Sequence, residues 1–417
     1  MNGSTLSTDP SSLPIRRNTA LLSAAMAVNS AVLQLNAAIS SLTFVLVTGF
    51  EALLGLGPAI FLTSSALSSV PLGRAMDRYG RIPIVAGGFV LGAIGCALTA
   101  LATHVESPAA LLAGFLLVGV ASAGAFLARA AAGDMYPPAR RARGISFVLF
   151  GAVFGAILGP SLFGPLFAGK EVALDALTVP WLAGAGLMIV AAAIVLNVRP
   201  DPRRIAELIA TGAGTPEPRT ASPLGEILRR PGVVPSLLAA LASFGVMVSV
   251  MNLTGYVVVD HHHHSQSSVF PIVGAHVVGM FGLVLVVGAL IDRIGRTPAL
   301  AGGLVVMSVS CAGLIAFESV WATAVLLFGL GLGWNVSFVA ATAQLADSSG
   351  AAERGKLLGF TDLLSGLLGA TLALVGGFAL DSLGVAALAL GAAVLVVLPI
   401  APIVRRRPRP APVPETP

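Results

Sequence analysis

Charge is scarce in this chain: aspartate, glutamate, lysine and arginine make up 10% of its residues, where a soluble domain carries roughly 25%. Hydrophobic residues reach 56%, so most of the surface cannot face water, and a soluble globular protein is excluded. Period-two alternation of apolar and polar residues is missing too, which excludes a membrane β-barrel. No nucleotide-binding loop or catalytic-triad spacing occurs, so nothing points to an enzyme. No soluble signalling domain is evident, which counts against a membrane-bound sensor. There are two cysteines, Cys96 and Cys311. Both fall in the middle of apolar stretches and read as small packing residues rather than a disulfide. No cleavable signal peptide is evident, because the first apolar run is long enough to stay as a helix.

What is present is a series of apolar runs, each of about 20 residues, the length needed to cross a bilayer as a helix. Twelve can be counted. The expected fold class is therefore an all-α membrane protein whose twelve transmembrane helices form two pseudo-symmetric six-helix bundles. Lysine and arginine set the orientation, since they favour cytoplasmic loops. With the N-terminus inside, 22 of the 24 basic residues fall on the cytoplasmic side, leaving Arg129 near the inner end of span four and Lys170 outside. A multi-pass protein of the cell's inner membrane with both termini cytoplasmic is expected. The net charge of +5 is explained by this topology and not by nucleic-acid binding. The expected partners are the lipid bilayer and a small solute or metal ion, with the chain acting as a monomer.

A duplication organises the chain. Asp77-Arg78-Tyr79-Gly80-Arg81 recurs as Asp292-Arg293-Ile294-Gly295-Arg296, 215 residues later, with Gly73 and Gly288 four residues before each aspartate. Residues 199–231 form the longest polar stretch and carry six prolines and six arginines. They divide an N-terminal bundle, 1–198, from a C-terminal bundle, 232–404, and a tail, 405–417, is expected to be disordered. Glycine lets the loop turn tightly, and Asp77 stands just before span three, where a helix N-terminus favours negative charge. A second echo links Asp134 through Gly144 to Asp347 through Gly355.

These paired loops resemble those of the major facilitator superfamily, over essentially the whole chain. The resemblance implies the twelve-helix fold of that family and transport by alternating access. It further implies that Gly73, Asp77, Arg78, Gly80, Arg81, Asp292, Arg293, Gly295 and Arg296 act as a cytoplasmic gate. Span five contains Gly155, Gly159, Pro160 and Gly164, a pattern resembling the hinge of drug and proton antiporters, although it also suits ordinary close packing. Those antiporters carry an arginine where this chain has Phe115, which weakens the efflux reading.

The second half has residues that the first lacks. Met247 and Met251 in span seven, and His276 and Met280 in span eight, are each four residues apart and so share a helix face. If the two spans pack as an antiparallel hairpin, Met251 lies level with His276, and Met247 with Met280. Thioether and imidazole ligands suit Cu(I), and an intramembrane histidine marks a functional position. The 215-residue offset places Val32, Asn36, Phe61 and Ser65 at the counterpart positions. The paired motifs resemble those of CcoA-like copper importers, whose close relatives resemble riboflavin importers. Copper is then a transported substrate, and no resident cofactor is expected.

Beyond span seven stand His261, His262, His263 and His264, a tract suited to metal capture or to a solvated loop. Glu51 and Asp362 are the acidic residues nearest the hydrocarbon and are candidates for coupling. Three readings follow: import of copper or a similar soft metal, a proton-coupled drug or metabolite antiporter, and a riboflavin-type vitamin importer.

Overall fold

The computed structural model describes residues 13–50, 56–167, 174–212, 222–258, 262–263 and 269–405. Every regular element among them is helical. The first half contains α1 (Ile15–Thr48), α2 (Leu56–Tyr79), α3 (Arg81–Val105), α4 (Pro108–Phe126), α5 (Ala128–Asp134), α6 (Arg141–Phe167) and α7 (Leu174–Leu196). Two short helices follow in the polar stretch, α8 (Pro202–Gly212) and α9 (Leu224–Arg229). The second half contains α10 (Val233–Tyr256), α11 (Val269–Phe281), α12 (Val284–Ile294), α13 (Arg296–Ala316), α14 (Val320–Asp347), α15 (Arg354–Val397) and α16 (Ile400–Arg405).

Ten helices among the described residues are long and apolar enough to cross a membrane, and α11 with α12, bent by 41°, make an eleventh crossing. One of the ten lies in α15 and another runs from its end into α16; α15 itself breaks at Gly384, where φ is 80° and ψ is 177°. The twelfth crossing is α2. Its 24 residues reach about 36 Å at helical rise, but Ser64, Ser65, Ser68, Ser69, Arg74, Asp77 and Arg78 dilute its apolar character. Three of those serines turn inward on the helix itself, Ser64 donating to the Phe61 carbonyl, Ser68 to Ser64 and Ser69 to Ser65, so their hydroxyls need no water.

The repeat extends to helix starts and to packing. Ser107 caps α4 and Ser319 caps α14, each accepting from the amide three residues on at 3.4 Å. Gly88 meets Gly124 where α3 crosses α4, and Gly303 meets Gly333 where α13 crosses α14. Small residues allow this approach without a water-driven core.

Within each half the first helix packs along the fifth, α1 on α6 and α10 on α15, and the second along the fourth, α2 on α4 and α11 on α14. The hairpin expected between spans seven and eight is therefore not the packing observed. Contacts between α10 and α11 are slight, because α11 is drawn onto α14. Glycines cause this: a Cβ on Gly279 would strike the Phe328 carbonyl, and one on Gly331 would strike the His276 carbonyl.

The described parts of the polar stretch, α8 and α9, pack on the helices around them. Ile205 and Ala206 of α8 are buried, whereas Arg204 and Glu207 face out. The tail beyond Arg405 lies outside the described residues.

Candidate functional site

The two halves meet most tightly on the arginine-rich side, where α2 packs against α15 and α6 against α12. A Cβ on Gly73 would overlap the carbonyl oxygen of Gly355, one on Gly359 that of Ser69, and one on Gly288 would press on Ala142. Glycine at these places lets backbones from opposite halves touch.

The duplicated aspartates use this proximity. Asp77 accepts from the backbone amides of Gly355 at 2.8 Å and Lys356 at 2.7 Å, so it caps α15 of the other half. Asp292 accepts from the amides of Ala142 at 3.2 Å and Arg143 at 3.0 Å, capping α6 in return. Each aspartate also holds the arginine of its own motif, Arg81 at 2.8 Å and Arg296 at 2.7 Å. The expectation that Asp77 serves the N-terminus of span three is corrected here. That helix is capped by Asp201 from the polar stretch, which accepts from the amides of Arg81 and Ile82 at 2.9 Å each.

A second layer of charge repeats the pattern. Asp134 binds Arg81 of its own half at 2.5 Å and Arg354 of the other half at 2.5 Å. Asp347 binds Arg296 of its own half at 3.1 Å and Arg141 of the other half. Arg141 and Arg354 each also donate to a backbone carbonyl, of Gly133 and Ala346, at 3.0 Å. The two sites differ in exposure: Arg81 and Asp134 are fully buried, but Arg296 and Asp347 are 11% and 21% exposed. Among the described residues, the polar stretch covers the first site only, with Arg203 donating to the Asp77 carbonyl. Glu353, beside it, accepts from Arg230 and from the amides of Ser222 and Gly350. Burial alone would raise its pKa, yet these donors outweigh burial and hold the carboxyl down at about 2.

Deeper between the halves, Asp362 of α15 pairs with Arg129 of α5. The Arg129 guanidinium lies 4.2 Å from the ring centre of Phe126 and 5.3 Å from that of Phe338. Phe126 and Phe338 stack at 5.7 Å, Phe338 and Trp334 at 4.9 Å, and Phe281 meets Trp334 edge-on at 6.0 Å. Asn335 donates to the Met280 carbonyl. Several buried polar atoms along this line have no hydrogen-bond partner: Arg129 Nε, Trp334 Nε1, Asn335 Oδ1 and His276 Nε2. His276 is 1% exposed, and its Nδ1 sits 2.9 Å from the Leu327 carbonyl. Unpaired buried polar atoms are costly, and a cluster of them marks a place where a polar ligand would be satisfied.

The sequence-selected residues are brought together unevenly. His276 and Met280 share a face of α11 and lie against α14. Met247 is buried in α10 and Met251 half-buried, on a helix that packs chiefly with α15 and α14. No cluster of three or more histidine, cysteine, aspartate or glutamate side chains suited to a metal occurs among the described residues. His262 lines a cavity of about 40 Å³ with Thr254, Cys311 and Thr323, and His263 has a φ of 54°. Glu51, His261 and His264 lie outside the described residues. Gly155 and Gly159 pack against Ala27 and Gln34 of α1, and α6 runs through Pro160 and Gly164 without interruption. Phe115 is buried against Trp181 at 5.9 Å. Sequence reasoning placed Arg129 at a helix end without a partner and gave no role to Trp334 or Phe338. A pairing of Arg129 with Asp362 needs the contact between halves, which no spacing within one helix reveals.

Fold and relatives agree. The family model described as Major Facilitator Superfamily matches residues 19–285 and 272–417. This chain belongs to the major facilitator superfamily. It is 32% identical over 372 residues to the uncharacterized MFS-type transporter YdeG of Bacillus subtilis, covering 87% of this chain and 85% of that one. It is 30% identical over 356 residues to the riboflavin transporter RfnT of Brucella anthropi, with 84% and 85% covered. Among solved structures, the proton:xylose symporter XylE superposes with a TM-score of 0.76 at 14% identity, over 94% of this chain and 95% of that one. The protein is thus a multi-pass membrane transporter of a small solute and not an enzyme, with secondary transport as the family's mode.

Proposed function

We propose that this transporter imports copper or a similar soft metal ion by alternating access, as a protein of the inner membrane with both termini in the cytoplasm. The observation that carries the substrate reading is the buried imidazole of His276, whose Nε2 has no partner one helical turn from Met280. Imidazole and thioether donors in an apolar setting suit Cu(I) better than they suit hard cations. Because α10 and α11 scarcely touch, Met247 and Met251 enter this reading as successive ligands along a path rather than as half of one four-ligand site. The gate is the network of Asp77, Arg81, Asp292 and Arg296, supported by its direct contacts with the opposite half. Asp362, paired with Arg129 across the halves, is the candidate for coupling.

A second reading, uptake of a riboflavin-type planar solute, is favoured by the likeness to RfnT and by the aromatic stack of Phe126, Phe338 and Trp334 beside Arg129. Radiolabelled copper and riboflavin uptake, measured side by side in intact cells, separates the two. On the copper reading, His276→Ala and Met280→Ala each lower copper uptake at least about tenfold, the loss of one ligand contact of roughly 1.4 kcal/mol or more. Trp334→Ala then leaves copper entry within a factor of about three. Riboflavin uptake abolished by Trp334→Ala, with copper uptake indifferent to both His276→Ala and Met280→Ala, would overturn the copper reading.

A further inference from the structure

A groove of about 1670 Å³ runs between the start of α1 and α6 on the arginine-rich side. Its wall changes chemistry along its length. At the interfacial end stand Arg16 and Arg17 of α1 and Arg140 and Arg143 at the start of α6, all exposed. None of these four side chains enters an ion pair among the described residues, although Arg81, Arg141, Arg296 and Arg354 of the network between the halves are all paired. Thr19 and Tyr136, hydroxyls 3.1 Å apart, form a polar shoulder below them.

Deeper in, the wall is apolar. Ala24, Ala27 and Val28 line it from α1, and Phe147, Phe150, Phe154 and Leu158 from α6. The last four recur at intervals of three, four and four, so they share one face, and Phe147, Phe154 and Leu158 are 42%, 49% and 42% exposed. From Phe147 to Leu158 that face descends roughly 16 Å at helical rise, close to the ~15 Å hydrocarbon depth of one leaflet. Unpaired cations above an apolar trough one leaflet deep match an amphiphile with an anionic headgroup. A free anion would leave the trough unused, and an apolar peptide would leave the arginines unanswered.

We propose that this groove is a binding site for an anionic phospholipid, its phosphate held among Arg16, Arg17, Arg140 and Arg143 and an acyl chain laid along Phe147, Phe154 and Leu158. Clustered arginines at the membrane surface attract anionic headgroups, each by a modest amount. The trough adds the selectivity for a lipid.

The test is native mass spectrometry of the full-length protein in detergent, titrated with cardiolipin, phosphatidylglycerol and phosphatidylcholine. Retention of cardiolipin or phosphatidylglycerol, but not phosphatidylcholine, is expected. A variant with all four arginines changed to glutamine should bind the anionic lipids at least about tenfold more weakly. The matching variant with lysine at the four positions should retain them, which separates lost charge from lost folding. A second glutamine variant, at Arg405, Arg406, Arg407 and Arg409, removes equal charge elsewhere and should bind as the parent does. Equal weakening in both glutamine variants overturns the site, since attraction would then be diffuse. Displacement of the lipid by millimolar inorganic phosphate also overturns it, as does binding seen only after residues 1–12 are deleted.

Discussion

Asp134 offers the sharpest handle on how the halves are held together. Its carboxylate is fully buried and answers one arginine from each half, Arg81 and Arg354, each at 2.5 Å. When the arginine-rich side opens, Arg81 travels with Asp134, so only the Arg354 contact is lost. A hydrogen bond between charged groups contributes about 1.5–3 kcal/mol, and an uncompensated buried charge costs about 3–5 kcal/mol. Asp134→Asn keeps one acceptor oxygen, which places the expected penalty on the closed state at the lower figure, about 1.5–3 kcal/mol. The ratio of open to closed molecules should therefore rise roughly 10- to 150-fold.

The population can be read from spin labels at Tyr79→Cys and Ile294→Cys, with Cys96 and Cys311 replaced by alanine. Tyr79 and Ile294 occupy the variable position of the two motif copies and are 62% and 45% exposed, so labels there leave the ion pairs between the halves in place. Pulsed dipolar spectroscopy should show a longer-distance population grow in Asp134→Asn. Asp347→Asn should shift it less, because Asp347 is 21% exposed and water already competes for its arginines. An unchanged distribution in Asp134→Asn, or a larger change in Asp347→Asn, refutes the assignment of the closed state to these buried pairs.

Two further outcomes are expected. Gly73→Ala inserts a methyl group into the Gly355 carbonyl and should cost the closed state about 1–3 kcal/mol by overpacking, whereas Gly87→Ala and Gly302→Ala, with nothing within 4 Å, should not move the same label distance. Docking of the polar stretch through Glu353 should be constant from pH 8 to pH 5. Because its pKa is lowered from 4.5 to about 2, the stabilisation is complete above 4.5 and fades as pH falls toward 2. Hydrogen exchange of residues 222–230 should rise only in that acid window, and an equal rise between pH 8 and pH 6 would sink the idea.

Much of the fold was legible because it is written twice. Apolar length gives the spans, arginine placement gives their alternation, and the 215-residue interval between Asp77 and Asp292 gives two halves. The partners of those aspartates were not legible. Asp77 caps α15 and Asp292 caps α6, contacts more than 140 residues apart in the chain that depend on how the halves face each other. Sequence neighbours misled for the same reason. Spans seven and eight are consecutive, but glycines at 279 and 331 draw α11 onto α14, so a hairpin register computed from loop length could not place Met251 against His276. The signal in the sequence that points to α14 is its glycine content, since Gly329, Gly331 and Gly333 crowd one stretch of it.

A second interval, two residues shorter, shows where symmetry stops. On the arginine-rich side the charged network has mates: Asp134 and Asp347, Arg141 and Arg354, Gly133 and Ala346 are each 213 residues apart and make the same contacts. At that offset Arg129 corresponds to Thr342 and Asp362 to Leu149, so the ion pair between the halves has no mirror image. Trp334 and Phe338 correspond to Ala121 and Ala125, so the aromatic stack has none either. A symmetric network can lock and release two bundles, but it offers the same chemistry from both sides and so cannot orient an asymmetric solute. Orientation has to come from groups present once, and Arg129, Asp362, Trp334, Phe338 and His276 are such groups. Placing the reciprocal pair, Thr342→Arg with Leu149→Asp, would therefore be expected to leave closure intact while impairing uptake, because it duplicates charge where the protein has kept a single copy.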